Sequence, residues 1–228
     1  AKKIIVPLEA VKEDVMRTYD CEDEKIVVTP EGVDESFGKF GKDKISGGMK
    51  PFFLYVGNAY PHKNLEKLID GFGLMSKEDH EVELWLVGKK DFFYERLEKK
   101  IRAMNIERVH FKYDLDDKQL FFYYSQAIAL VSASLMEGFG LPPAEAAMCG
   151  CPVVLSDIPA FREVWGGGVE YFDPNDVKDI GAKMMQMRRM SESARRKYVE
   201  ENRKLVEKLS WRKMAEKTLV VYENCIGV

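Results

Sequence analysis

The feature that most restricts the fold of this 228-residue chain is an alternation of apolar runs with helix-like segments between residues 52 and 172. Runs such as 52–56, 82–87 and 128–134 are continuously apolar, which is typical of strands that are covered on both faces. Helical patterns, such as the one at 65–75, separate these runs. This succession predicts an α/β fold with a doubly wound parallel sheet, whose ligand binds at the carboxyl ends of the strands.

The other elements follow from the same patterns. Strands are also predicted at 3–7, 25–30, 109–111, 152–155 and 169–172, and helices at 9–19, 92–104, 117–127 and 143–149. Three helical segments near 175–190, 191–209 and 211–226 form a predicted carboxy-terminal tail. A turn is predicted at 31–34, and the Gly- and Lys-rich segment 38–51 is predicted as a loop.

Composition excludes several classes of function. The net charge of −3 does not indicate a nucleic-acid surface, and no apolar run approaches the ~20 residues of a membrane span. The four cysteines form no CxxC pair, and the three histidines have no ligand spacing to a cysteine, so no metal site is expected. We interpret Cys149 and Cys151 as small core residues in a reducing cytosol, which favours a cytoplasmic protein.

A glycine-containing turn follows the strand predicted at 128–134. Gly138 and Gly140 allow the backbone to turn sharply and to lie close to a ligand. Two prolines, at 142 and 143, suit the first turn of the next helix, where a missing N–H costs little. Gly150 ends that helix. A turn that opens a helix in this way exposes backbone N–H groups that bind phosphate.

The residues around this turn suggest the kind of ligand. We expect the N–H groups of Phe139, Gly140 and Leu141 to face a phosphate. Glu137 and Glu145 flank the same turn with seven residues between them. Carboxylates are poor neighbours for a phosphate but good acceptors for sugar hydroxyls. The pattern therefore suggests a ligand with hydroxyls on both sides of a phosphate bridge, and a nucleotide sugar is such a ligand.

At these residues the chain resembles a known family. The Glu-x7-Glu pattern with Gly-Phe-Gly-Leu inside it is similar to the donor-binding motif of retaining GT-B glycosyltransferases, glycosyltransferase family 4. The likeness extends over 51–174, and 25–37 and 211–222 fit its flanks. It implies a Rossmann-like domain, the carboxy-terminal half of a GT-B fold. The implied activity is hexose transfer, of mannose or glucose type, from a nucleotide diphosphate sugar to an acceptor.

Two other functions compete with this one. A stand-alone nucleotide or nucleotide-sugar binding module without turnover is the alternative that stays open. An NAD-dependent oxidoreductase is disfavoured, because no Gly-x-Gly-x-x-Gly follows the strand at 52–56 with an acidic residue about 20 positions later.

The resemblance assigns roles to individual residues. It implies that Glu137 is the catalytic-site acid near the anomeric carbon and that Glu145 accepts from the ribose hydroxyls. Lys63, in the loop that begins with Gly57, is the implied diphosphate lysine. Many relatives carry an arginine just after that glycine or directly before the lysine. This chain has Asn58 and His62 in those places, so one cation of the diphosphate clamp is missing.

The base of the nucleotide is implied to lie against two further loops. These contain Gly88 and the pair Lys112 and Tyr113, and backbone groups there hold the base in relatives. Nothing in these loops identifies the base, although the sequences Tyr-Val-Gly-Asn at 55–58 and Pro-His-Lys-Asn at 61–64 resemble those of enzymes that transfer mannose from GDP-mannose. The resemblance implies donor binding that needs no cofactor and no metal ion.

The resemblance also implies a partner for this chain. Residues 1–20 resemble the last strand and lead-in helix of an amino-terminal domain, and 21–228 would form the donor-binding domain. We therefore expect a fragment whose missing half holds the acceptor, a glycan or a lipid-linked sugar. Through that half, a cytoplasmic protein could also be peripheral at the membrane.

Overall fold

The computed structural model describes residues 1–34, 37, 49–104 and 106–227, so most of the loop predicted at 38–51 lies outside the described residues. Its strands are β1 (Ile4–Val6), β2 (Ile26–Val28), β3 (Phe52–Val56), β4 (Glu83–Gly88), β5 (Val109–Tyr113), β6 (Leu130–Ser132), β7 (Val153–Ser156) and β8 (Glu170–Phe172). Its helices are α1 (Glu9–Tyr19), α2 (Leu65–Met75), α3 (Phe92–Ala103), α4 (Asp117–Gln126), α5 (Leu141–Met148), α6 (Pro159–Trp165), α7 (Val177–Arg188), α8 (Glu192–Val206) and α9 (Trp211–Ile226). One-turn 3₁₀ segments lie at Asp23–Lys25 and Pro61–Lys63.

Within the described residues, six strands form one parallel sheet in the order β5-β4-β3-β6-β7-β8. The chain builds the sheet outward from β3 to β5, then returns to place β6 against the other side of β3. This return creates a switch point between β3 and β6, where the connecting loops separate and leave room for a ligand. The predicted doubly wound parallel sheet is confirmed.

Each face of the sheet carries its own apolar core. Adjacent residues of β3 divide between the two cores, because successive side chains of a strand point to opposite faces. Phe53 belongs to the core that includes residues of α2, α3 and α7, whereas Phe52 belongs to the core that includes residues of α5 and α6. Burial on both faces explains why the strands are continuously apolar.

The structure differs from the predicted elements at several points. Helix α6 was not predicted, because its seven residues are too few to show a helical period; its Phe161 and Trp165, four positions apart, are both buried. Helix α5 begins at Leu141, two residues earlier than predicted. Strand β6 is limited to three residues, although the apolar run around it is longer.

The first two strands lie outside the main sheet. β1 and β2 pair with each other in a separate parallel sheet, so β2 does not join the six-stranded sheet. Helix α1 is tied to α6 through Glu163, whose carboxylate accepts from the N–H groups of Glu9 and Ala10 at 2.8 and 2.9 Å. This contact satisfies two unpaired donors in the first turn of α1.

The carboxy-terminal helices differ in how they pack. Helix α8 lies on the domain with Asn202 and Val206 buried, whereas α9 buries only Val221. Large apolar side chains of α9 are exposed: Leu219, Val220, Tyr222 and Ile226. Among the described residues, no helix combines the length and the apolar character that crossing a membrane requires.

Candidate functional site

The carboxyl ends of β3 and β6 bring together two residues that are 74 positions apart. The ammonium nitrogen of Lys63 lies 2.8 Å from both carboxylate oxygens of Glu137. The two side chains are only 16% and 11% exposed, so this ion pair is shielded from water. The charges of a shielded pair attract each other more strongly than those of a surface pair, but the hydration that both groups have lost offsets much of this attraction. The predicted phosphate lysine and the predicted catalytic-site acid are therefore in direct contact.

One buried serine holds Glu137 and two further buried serines contact that serine; sequence reasoning did not identify any of the three. The hydroxyl of Ser134 donates to Glu137 Oε1 at 2.7 Å. Behind it, Ser156 donates to the carbonyl of Ser134 at 2.6 Å, and the Ser132 hydroxyl lies 3.3 Å from that of Ser134. A hydroxyl in an otherwise apolar strand needs a partner when buried, so Ser132 and Ser134 in the run 128–134 were the available signal.

The loop that carries Lys63 is anchored to the loop that carries Glu137. The amide of Asn64 donates to the carbonyls of Ala133 and Pro174, at 3.1 and 2.8 Å. The carbonyl of His62 accepts from the N–H of Leu135 at 2.7 Å. Asn64 has a φ of 57°, a left-handed conformation that asparagine tolerates better than most residues. These bonds fix the position of Lys63 relative to Glu137.

Glu145 lies in α5 and has a partner that the sequence did not indicate. Its Oε2 accepts from the hydroxyl of Tyr124, a fully buried residue of α4, at 2.9 Å. Burial raises the pKa of the Glu145 carboxyl, and the hydrogen bond from Tyr124 lowers it by a smaller amount. Asp117 and Asp34 also raise this pKa through their charges. The half-buried carboxylate keeps an oxygen that Tyr124 does not use.

The turn before α5 depends on one of its two glycines. Gly140 has a φ of 91°, and a Cβ built there would lie 2.6 Å from the ring of Phe161. Gly138 has no positive φ, and a Cβ there would meet nothing within 4 Å. The backbone conformation of the turn therefore requires glycine at 140 but not at 138, and the close approach of a ligand to Gly138 stays a prediction. Phe139 is buried beside Leu8, so only its backbone is left for a ligand.

The residues predicted to contact the base make contacts of their own. Tyr113 donates to Glu98 Oε1 at 2.6 Å, and the Lys112 ammonium lies 5.5 Å from the ring centroid of Trp85. A Cβ built on Gly88 would lie 2.2 Å from the carbonyl oxygen of Gly57, so this position requires glycine for packing alone. These contacts leave mainly backbone groups for a base, and the base-binding role of the loops stays a prediction.

Asn58 occupies the place where the resemblance implies a cation. Its Oδ1 accepts from the N–H of Tyr60 at 3.2 Å, which closes a local turn. The ring of His62 packs against that of Tyr60 with a centroid distance of 6.0 Å. Residues 58 and 62 thus shape the loop, and Lys63 supplies its permanent positive charge.

The described residues hold no group of three or more His, Cys, Asp or Glu side chains arranged to bind a metal ion. Cys151 is buried and Cys149 is partly buried, with free thiols on the α5 side of the sheet. Burial raises the pKa of the Cys151 thiol to about 12, which makes this thiol a core residue rather than a ligand or a nucleophile.

Fold and site together define a class of protein. A doubly wound sheet whose switch point carries a lysine loop, a glycine turn opening a helix and two carboxylates has the architecture of a GT-B glycosyltransferase domain. The glycosyltransferase of Rickettsia africae shares this fold. Its structure superposes with a TM-score of 0.82 at 19% identity, over 99% of this chain and 64% of that one.

Sequence comparison identifies the family. The family model described as "Glycosyl transferases group 1" matches residues 34–205, and the chain belongs to this family. O-antigen chain mannosyltransferase RfbU of Salmonella typhimurium is 33% identical over 177 residues, which is 78% of this chain and 48% of that protein. O-antigen chain mannosyltransferase B of Escherichia coli is 28% identical over 82% of this chain and 51% of its own length. The chain thus spans about half the length of these curated relatives.

Proposed function

We propose that this chain is the donor-binding half of a retaining glycosyltransferase that moves a hexose from a nucleotide diphosphate sugar to an acceptor. The contact between Lys63 and Glu137 at the switch point carries this proposal, because it joins a phosphate-binding cation to a sugar-binding carboxylate. Both named relatives are mannosyltransferases, which favours mannose, carried by GDP, over glucose.

Each group of the site has a task in this reaction. When the donor binds, Lys63 exchanges its carboxylate partner for the diphosphate. Glu137, still held by Ser134, then accepts from hydroxyls of the transferred sugar. The N–H groups at the start of α5 face the phosphate, and Glu145 accepts from the ribose.

Transfer itself exchanges one bond for another at the anomeric carbon. The bond from this carbon to the phosphate oxygen breaks as the acceptor hydroxyl oxygen bonds on the same face. The departing phosphate takes the proton of that hydroxyl. The site stabilises the phosphate charge through Lys63 and backbone N–H groups, an electrostatic contribution that is usually the largest in such chemistry.

An opposing domain would hold the acceptor. Two surfaces support this part of the proposal: the separate β1–β2 sheet and the exposed apolar side of α9. A groove of about 370 Å³ lies between them, lined by Val27, Val28, Val220 and Val221 among others. A two-stranded sheet is marginal on its own, so further strands are expected beside it. Cytoplasmic localisation, or peripheral binding through the other half, stays a prediction.

Donor binding is proposed to need no metal ion and no cofactor, because Lys63 and backbone groups neutralise the diphosphate. We expect the affinity for the donor to be the same with EDTA as with Mg²⁺ or Mn²⁺, measured by calorimetry. A strict requirement for either ion would contradict the assignment of the phosphate site to Lys63.

The test of the whole proposal is a thermal-shift panel with GDP-mannose, UDP-glucose and ADP-glucose. A ligand at 100 times its dissociation constant stabilises the folded state by ~2.7 kcal/mol, which raises Tm measurably. We expect GDP-mannose to give the largest shift. No shift with any nucleotide sugar would overturn the proposal. The alternative, a binding module without turnover, predicts the same shift but no transfer once the other half is supplied.

A further inference from the structure

Two buried tyrosine hydroxyls hold consecutive carbonyls of the loop that carries Lys63. The hydroxyl of Tyr94 lies 2.9 Å from the carbonyl oxygen of Gly57, and that of Tyr55 lies 2.7 Å from the carbonyl oxygen of Asn58. Tyr94 also lies 3.2 Å from the carbonyl of Val87, so this hydroxyl bridges β3 and β4. The two side chains are 0% and 2% exposed, and each hydroxyl donates where water is excluded.

These bonds determine the direction of two backbone N–H groups. In a trans peptide the N–H points opposite to the C=O, and the described chain has no cis peptide bond. The N–H of Asn58 therefore points away from the Tyr94 hydroxyl, and the N–H of Ala59 points away from the Tyr55 hydroxyl. Neither N–H has a hydrogen-bond partner within the part of the chain that the structure describes. Both residues are partly exposed at the carboxyl end of β3.

Two glycines leave the space that these hydroxyls occupy. A Cβ built on Gly57, whose φ is 150°, would lie 2.8 Å from the Tyr55 hydroxyl oxygen. A Cβ built on Gly88 would lie 2.6 Å from the Tyr94 hydroxyl oxygen. Because the rings and the loop are this close, the peptide groups of the loop have little freedom to rotate. The two N–H groups are oriented before any ligand arrives.

We propose that Tyr55 and Tyr94 are positioning residues for the diphosphate of the donor, acting through the N–H groups of Asn58 and Ala59. Successive backbone N–H groups without a partner in the protein can form an anion-binding concavity. Here they lie in the same loop as Lys63 and compensate for the cation that Asn58 does not supply. This inference rests on the proposed function and names the groups that bind its phosphates.

The variants Tyr94→Phe and Tyr55→Phe test the proposal in the 228-residue chain, since each removes one hydroxyl and keeps the ring. Calorimetry measures GDP affinity, and competition against a fluorescent nucleotide measures guanosine affinity; UDP with uridine forms a parallel pair. We expect each variant to lose about tenfold in diphosphate affinity and to keep nucleoside affinity. The ratio of the two affinities is the readout, because general loosening of the fold lowers both.

Tyr198→Phe is the matched control. The Tyr198 hydroxyl also donates to a backbone carbonyl, that of Val153 at 2.7 Å, but at the amino end of β7. This variant should lower Tm without changing the affinity ratio. Wild-type ratios in both tyrosine variants, or equal losses of GDP and guanosine, would overturn the positioning role. Failure of the proposed function looks different, since the wild-type chain would then bind no nucleoside diphosphate.

Discussion

Glu145 combines a cost to stability with its proposed role as the acceptor for the ribose hydroxyls. Its carboxylate is half-buried, and the surrounding protein favours its protonated form. Hydrogen bonds from ribose hydroxyls to a charged acceptor contribute ~1.5–3 kcal/mol each, and no other side chain of α5 can accept such bonds as a charged group.

We expect Glu145→Ala to weaken nucleotide binding at least tenfold, or ~1.4 kcal/mol, because it removes this acceptor. The fold should survive, since the side chain is not fully buried. Calorimetry with GDP, the nucleotide of the proposed donor, measures the affinity. Glu200→Ala, which changes an exposed carboxylate of α8 paired with Lys204, is the matched control and should bind as wild type does. Unchanged affinity in Glu145→Ala would remove this residue from the site.

The raised pKa of Glu145 also gives a pH dependence of stability. A carboxyl whose pKa is higher in the folded state than its ordinary 4.5 favours folding while it is protonated, and that contribution is lost as pH rises through the folded pKa. Glu145→Gln keeps an acceptor for Tyr124 but carries no charge. We expect this variant, without ligand, to be more stable than wild type at pH 7.

The advantage of Glu145→Gln should shrink as pH falls toward 4.5, because wild-type Glu145 then becomes neutral as well. Urea denaturation at a series of pH values measures the difference in free energy of unfolding. A difference that is constant across this range would show that the charge of Glu145 is not the cause.

At the scale of elements, the turn that opens α5 is constrained at a single glycine. Gly140 combines a left-handed backbone with close contact to Phe161, a fully buried side chain that cannot move aside cheaply. Gly138, two residues earlier, has neither constraint. The effects of the same substitution at the two glycines can therefore be compared directly.

We expect Gly140→Ala to destabilise the chain by ~1–3 kcal/mol, through backbone strain and overpacking against Phe161. Gly138→Ala should stay within about 0.5 kcal/mol of wild type, because its methyl group enters open space. Urea unfolding curves of both variants measure this. Equal effects of the two substitutions would contradict the assignment of the turn to Gly140.

At the scale of the whole molecule, the proposed function gives this chain the donor and leaves the acceptor to an opposing domain. Positioning two reactants can contribute ~7–11 kcal/mol to lowering a barrier, and that contribution needs a surface for the acceptor. The groups proposed to bind the donor lie at one edge of one sheet, while β1, β2 and α9 leave apolar surface uncovered.

We expect the 228-residue chain to bind its nucleotide sugar but to transfer at background rate, with slow donor hydrolysis as its only turnover. Adding the amino-terminal half of a relative, in cis or as a separate chain, should restore transfer. Product formation from radiolabelled donor is the measurement, with Glu137→Ala as the inactive control. Efficient transfer by the chain alone, abolished in that control, would show that the two-domain argument is wrong.

The sequence by itself determined the class of fold and the family. Continuous apolar strands separated by helices allow few solutions other than a parallel sheet covered on both faces, and that sheet is what the structure shows. Local chemistry determined the turn before α5 as well, because glycine and proline act on their own backbone. Short elements such as α6 could not be predicted, since seven residues show too little helical periodicity.

Only the tertiary structure decided which side chains meet. The main contacts of the site join residues from different elements or from opposite ends of a turn. They are the pair of Lys63 with Glu137, the serines behind that pair, the bond of Tyr124 to Glu145, and the tyrosines that hold the Lys63 loop. A side chain's partners depend on strand order and register, which bring distant segments to one edge of the sheet. Residue spacing along the chain does not reveal these contacts, because they arise only when the elements pack together, as β6 does against β3 and α3 does against the β3–β4 side.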